Sequence, residues 1–164
     1  MSALLENSSF DLKAFRSALG SFATGVTIIT TRTASGEPIG LTANSFNSVS
    51  LDPPLVLWSQ ALASSRSASF MNAGRYAINV LANDQLELSK RFTSSGSFEG
   101  VDFEEGMDGL PLLRGSCAIF ECTSEARHPG GDHLIFIGRV VRFHRADAEP
   151  LAFHAGRYRR LDDL

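Results

Sequence analysis

The chain has 164 residues, 43% of them hydrophobic and 20% charged, with 12 Phe against one Trp and a formal net charge of −3. That length and balance fit one globular domain spanning 1–164 and exclude a disordered chain. The acidic balance argues against nucleic acid, and the absence of an apolar run of about 18 residues or a signal-like start points to a cytoplasmic protein with no membrane partner.

In chain order, Asn7-Ser8-Ser9 matches a glycosylation acceptor, a match of little weight without a secretory signal. From Asp11 to Leu19, Phe15, Leu19 and then Phe22 fall on one face, which predicts a short amphipathic helix packed on a barrel, capped by Ser9 or Asp11 and stopped at Gly20. Val26 to Arg32 is rich in β-branched residues, and a second extended run begins at Ile39 after Ser35-Gly36-Glu37-Pro38, which reads as a β-hairpin. From Gly40 to Leu57 a row of small hydroxyl and amide side chains, Thr42, Asn44, Ser45, Ser48 and Ser50, precedes an apolar strand. Such a row leaves the backbone accessible and can meet the edge of a polar, planar ligand; the same residues also suit an ordinary loop that satisfies its own turns. Pro53-Pro54 cannot donate to a central ladder, so the strand Leu55-Val56-Leu57-Trp58 is expected to start after them.

A helix is predicted from Ser64 or Ser65 to Asn72, ended by Gly74, followed by the strand Tyr76–Leu81. Asn83 or Asp84 is expected to cap a further helix through Leu86, Leu88 and Phe92. The Gly/Ser-rich, acidic stretch from Thr93 to Gly109 reads as a mobile loop of the kind that covers ligands. Two long strands, Cys117–Ser124 and His133–Arg145, are expected to flank a turn at His128-Pro129-Gly130-Gly131-Asp132. Cys117 and Cys122 lie five apart on one strand, on opposite faces, which excludes a disulfide or shared metal site between them.

The fold class is therefore mostly β with short helices (α+β). Six or more strands joined mainly by hairpins favour a small closed β-barrel over a doubly wound sheet. Gly20 and Gly25 enclose four residues as a phosphate loop does, but no Lys follows and a strand comes next. There is no Gly-x-Ser-x-Gly elbow and no His-Glu-x-x-His helix, and His128, His133, His144 and His154 show no metal-ligand spacing. Polar pockets without an evident acid, base or nucleophile point to a bound cofactor that carries the reaction.

Several separated motifs carry a family resemblance: Phe22-Ala23-Thr24-Gly25-Val26-Thr27-Ile28-Ile29-Thr30-Thr31, the run Gly40 to Ser50 with Pro53-Pro54-Leu55-Val56-Leu57, Tyr76 to Leu81, Gly131-Asp132-His133 before Ile135-Phe136-Ile137-Gly138, and Gly156-Arg157-Tyr158. In this order they resemble the flavin reductase-like family, the short reductase components of two-component flavin monooxygenases. The resemblance implies an FMN-binding split β-barrel, homodimeric, that takes FMN or FAD, passes a hydride to it from NADH or NADPH, and supplies reduced flavin to a separate oxygenase. It implies that Thr42, Ala43, Asn44, Ser45 and Phe46 line the isoalloxazine, with Ser48, Val49 and Ser50 supporting it. Trp58, Ser59 and Gln60 follow the buried strand, and Ser64, Ser65 and Ser67 would hold the flavin phosphate, although simple helix capping also accounts for these serines. Arg91 and Phe92 would lie near the flavin tail. His133, Phe136, Arg157 and Tyr158 would contact the nicotinamide nucleotide, His133 as a positioning residue rather than a base, because hydride transfer abstracts no proton. A flavin- or haem-binding module without turnover is the alternative on the same barrel.

Overall fold

The computed structural model describes residues 10–164; Ser9, a candidate cap, and the Asn7-Ser8-Ser9 acceptor lie outside the described residues. Helix α1 (Leu12–Leu19) opens at Asp11, whose carboxylate accepts from the N–H groups of Lys13 and Ala14 at 2.8 and 3.2 Å. Then come β1 (Thr24–Gly25), β2 (Thr27–Arg32), β3 (Pro38–Ala43), β4 (Asn47–Leu51), β5 (Pro54–Ala61), α2 (Ser67–Asn72), β6 (Arg75–Val80) and α3 (Leu86–Ser94). Strands β7 (Phe103–Glu105) and β8 (Pro111–Leu113) flank a 3₁₀ turn at Met107–Gly109, and β9 (Ala118–Gly130), β10 (His133–Arg145), β11 (Ala152–His154) and β12 (Arg157–Arg159) complete the chain.

Seven strands form one antiparallel sheet in the order β3-β2-β6-β9-β10-β5-β4, and β1, β11 and β12 form a small separate sheet. The large sheet curls on itself, because Leu41 of β3 and Val56 and Trp58 of β5, near its two ends, meet in one buried cluster with Ile29, Phe70, Tyr76, Ile78, Cys122 and Phe136. It does not close: no ladder joins β3 to β4, so the expected closed barrel is corrected to a split one. Strand β2 is buried at five consecutive residues because its outer face is covered too, where Ile28 packs with Phe92 of α3, Leu81, Leu113 and Leu151.

Several local expectations shift. The first helix does not pack on the barrel: none of its residues is buried, and Phe15, Leu19 and the following Phe22 are 46%, 58% and 76% exposed, with Phe10 packing on this face, against Phe15. Asn47–Leu51, read as part of a polar loop, pairs with β5 as an edge strand that is exposed along its length, Val49 and Leu51 included, with only Ser50 half-buried. Neither Asn83 nor Asp84 caps α3; Gln85 precedes it and ties the turn instead, accepting from the Ala82 N–H at 3.0 Å and donating to the Arg114 carbonyl at 2.7 Å. The stretch from Thr93 to Gly109, expected as a loop, holds the end of α3, strand β7 and the 3₁₀ turn. Phe98 packs edge-on against Phe92 and Phe103 with centroids at 4.9 and 5.2 Å, which anchors the β7–β8 hairpin to the core. His128, Pro129 and Gly130 continue β9, so the long hairpin turns only at Gly131-Asp132. Both cysteines are free and buried.

Candidate functional site

The opening in the curled sheet lies where β3 runs out and the chain turns toward β4. There the Ser45 hydroxyl donates to the Ser59 carbonyl at 3.0 Å and accepts from the Ser59 N–H at 2.9 Å, so one side chain carries the β4–β5 pairing one step beyond the start of β4, at the edge of the opening. Beside this link is a groove of about 320 Å³ lined by Leu41, Thr42, Ala43, Asn44, Ser45, Ser59, Gln60, Ala61, Ser64, Arg66, Phe92, Thr93 and His133. It is large enough for a heterocycle and carries mostly small or polar residues.

Of the residues expected from sequence, Thr42, Ala43, Asn44, Ser45, Ser59, Gln60, Ser64, Phe92 and His133 converge on this groove from β3, β5 and the segments that follow them, from α3 and from the start of β10. The Thr42 hydroxyl donates to the Ser89 carbonyl at 2.7 Å, which fixes the end of β3 to α3. His133 Nδ1 lies 2.7 Å from the Asp132 carboxylate, which orients the ring; the same contact holds Asp132 below the usual carboxylate range. Tyr158 lies elsewhere, in a second hollow of about 230 Å³ with Val26 and Phe153, and Thr42, Ala43, Asn44 and Thr93 form a wall common to both. The Tyr158 hydroxyl is 2.9 Å from the Ser89 hydroxyl, so the small sheet is tied to the same helix.

Other expected residues stand outside the groove. Phe136 is fully buried and stacked on Trp58, with centroids 4.3 Å apart and planes 8° off parallel, so neither side chain is free to flank a ligand ring. Phe46 packs against the core beside Phe120. Ser48, Val49 and Ser50 lie along the edge strand and do not line the groove. Ser65 is exposed and Ser67 is buried at the start of α2, a helix of only six residues whose weak dipole gives little to an anion. Arg91 donates to the Glu99 carbonyl at 2.6 Å, and Arg157 is exposed on β12.

Two features of the groove escape sequence reasoning. Arg66 donates to the carbonyls of Gly40, Phe92, Thr93 and Ser94 at 2.9 to 3.3 Å, clamping the C-terminal end of α3 to β3. A cation set among small residues in Ser64-Ser65-Arg66-Ser67 was the signal, but its targets are far away in sequence. Second, Gln60 is 4% exposed and neither its Oε1 nor its Nε2 has a hydrogen-bond partner. An amide left so costs about 1–3 kcal/mol, which a bound polar group can recover.

A hollow of about 690 Å³ lies on the far side between the β2–β3 turn and α2. Its two arginines are already engaged, Arg32 with Glu105 and Arg75 with Asp108, each at 2.6 Å. Among the described residues, no group of three or more metal-ligating side chains converges and no helix is long and apolar enough to cross a membrane.

Residues 19–162 match the model of the flavin reductase like domain. Over 150 residues the chain is 50% identical to the FMN reductase (NADH) SmoA of Agrobacterium fabrum (strain C58), covering 91% of this chain and 86% of that one. It is 40% identical over 157 residues to the reductase subunit HsaB of a flavin-dependent monooxygenase from Rhodococcus jostii (strain RHA1), covering 94% and 80%. The Streptomyces globisporus C-1027 NADH:FAD oxidoreductase SgcE6, solved with NAD and FAD fragments, superposes with a TM-score of 0.87 at 37% identity, over 93% of each chain. Some relatives are longer, and the chain spans 49% of one from Rhizobium meliloti (strain 1021).

Proposed function

We propose, from the premise that this chain belongs to the flavin reductase-like family, that it is an NADH-dependent flavin reductase whose reduced FMN or FAD serves a separate monooxygenase component. The observation that carries the reading is the groove itself, where the Thr42–Ser45 row, Ser59 and His133 surround a buried glutamine amide with no partner. The donor set fits a flavin: small side chains leave backbone N–H groups open to a flat ring, and hydroxyls and amides match its carbonyl and nitrogen edge.

A flavin held in this groove would supply the hydride acceptor, its N5. The protein's task is then geometric. Thr42, Ala43, Asn44 and Ser45 form the wall against which the ring is held. The Ser45–Ser59 link and the Arg66 clamp keep that wall from moving. His133, oriented by Asp132, stands at the rim to position the nicotinamide. Ser64 and Arg66 are the polar groups nearest to receive the phosphate end. No side chain is required to take a proton.

A homodimer accounts for the exposed apolar face of α1. Among the described residues Phe10, Leu12, Phe15, Leu19 and Phe22 are exposed, and a second copy is the simplest cover for them.

The deciding experiment follows the loss of NADH and NADPH absorbance in air with purified protein and FMN, FAD or no flavin. Rapid oxidation that depends on added flavin is expected, with NADH preferred. Flavin fluorescence quenching without oxidation would instead favour a binding module lacking turnover. Light scattering on a sizing column gives the mass, and a monomer at micromolar concentration would refute the dimer.

A further inference from the structure

We infer that Gln60 reads the imide edge of the bound flavin, a specificity role that rests on the flavin reading. Alternation along β5 puts Val56, Trp58 and Gln60 on one face, and all three are buried. Val56 and Trp58 continue into the core cluster with Leu41 and Phe136. Gln60 ends the row, where the interior of the curled sheet meets the groove. Packing alone calls for another aliphatic residue there. The chain instead carries an amide that meets no partner within the protein, on either its donor or its acceptor side.

A glutamine amide presents a C=O and an N–H₂ side by side. The pyrimidine edge of an isoalloxazine presents the complement, an N3–H next to a carbonyl. Gln60 Oε1 accepts from N3–H while Nε2 donates to the adjacent carbonyl, satisfying both atoms at once. In the ligand-free arrangement both amide atoms are shielded from water, so the pairing requires the side chain to rotate toward the groove. Its rotatable bonds allow this. Asn44 is the other carboxamide of the groove and is exposed, so Gln60 is the buried amide acceptor available to N3–H, which distinguishes a flavin from a flat ring lacking that proton.

The test is a binding cycle without nicotinamide, read by flavin fluorescence quenching. FMN and N3-methyl-FMN are titrated into the wild-type protein and Gln60→Leu. The wild type is expected to bind FMN roughly tenfold more tightly than its methylated form, and Gln60→Leu to bind FMN roughly tenfold more weakly while treating both ligands alike within about twofold. A methyl penalty that persists undiminished in Gln60→Leu, or equal wild-type affinity for the two ligands, overturns the role of Gln60 and leaves the flavin reading standing. No FMN binding by the wild type overturns both. Should Gln60→Leu not fold, Gln60→Met takes its place, and the wild-type comparison needs no variant.

Discussion

The Ser45 hydroxyl and the main chain of Ser59 exchange two hydrogen bonds, at 3.0 and 2.9 Å, across the gap between β5 and the chain entering β4, beyond the last paired residues Asn47 and Leu57. The binding groove lies against this link, so the residues that keep the barrel together there also shape the site. Replacing Ser45 with Ala strands both the N–H and the C=O of Ser59. The expected loss is about 1–2 kcal/mol of stability by urea denaturation, with weaker FMN binding in the same protein. Unchanged stability and affinity would mean that the gap is held by packing alone.

Gly96 separates two kinds of glycine cost. Its φ is +67°, and a Cβ there would come within 2.6 Å of Arg66 Nη1 and 2.8 Å of the Gly40 carbonyl. Gly96→Ala therefore combines backbone strain with displacement of the Arg66 clamp, and a loss of about 2–4 kcal/mol is expected together with faster amide exchange at the end of α3. Gly36 has φ +86° but open space around it, so Gly36→Ala should cost only about 1 kcal/mol. Equal melting temperatures for the two variants would refute the clamp.

His133 and Tyr158 stand on opposite sides of the Thr42–Asn44 wall. His133→Ala is expected to raise KM for NADH several-fold more than KM for flavin. Asp132→Asn should show part of that effect, since it loosens the ring without removing it. Tyr158→Phe removes the contact with the Ser89 hydroxyl and should cost about 1 kcal/mol in stability. Equal rises in both KM values for His133→Ala would exclude a nicotinamide contact by that ring.

The thiols report on the core. Burial pushes the Cys122 thiol from the ordinary 9.0 up to about 12, and burial also raises Cys117. Neither should react quickly with a disulfide reagent at pH about 8 until the protein is unfolded, when two thiols should appear. Between the ordinary value and about 12 the unfolded chain releases the Cys122 proton while the folded protein keeps it. Stability from this group is thus complete at neutral pH and falls as pH rises through that window. A Cys122→Ala variant should show a shallower alkaline decline; an identical slope would contradict it.

Much of the framework was legible because it depends on local pattern. The β-branched run from Val26 to Arg32 and the strand expected from Leu55 after Pro53-Pro54 each dictate extended backbone over a few residues, and with the reversal at Ser35-Gly36-Glu37-Pro38 the ladder β2–β3 follows; β5 itself already starts at Pro54. The Thr42–Ser45 row could be singled out for its side-chain chemistry alone. Phe136 could not be placed by the same means: period-two patterning says that a residue faces one side of a strand, not whether that side holds a ligand or Trp58.

By itself the sequence determined the mostly β character, the order of the hairpins and which polar residues were available for a planar ligand, because propensity, turn chemistry and alternation act between neighbours. Only the tertiary structure decided that the sheet stays open, that Ser45 ties the chain entering β4 to Ser59 of β5, that Arg66 reaches four carbonyls on β3 and α3, and that Gln60 is buried without a partner. Those outcomes depend on contacts between distant segments, whose existence is set by how the sheet curls around its core rather than by any local run of residues.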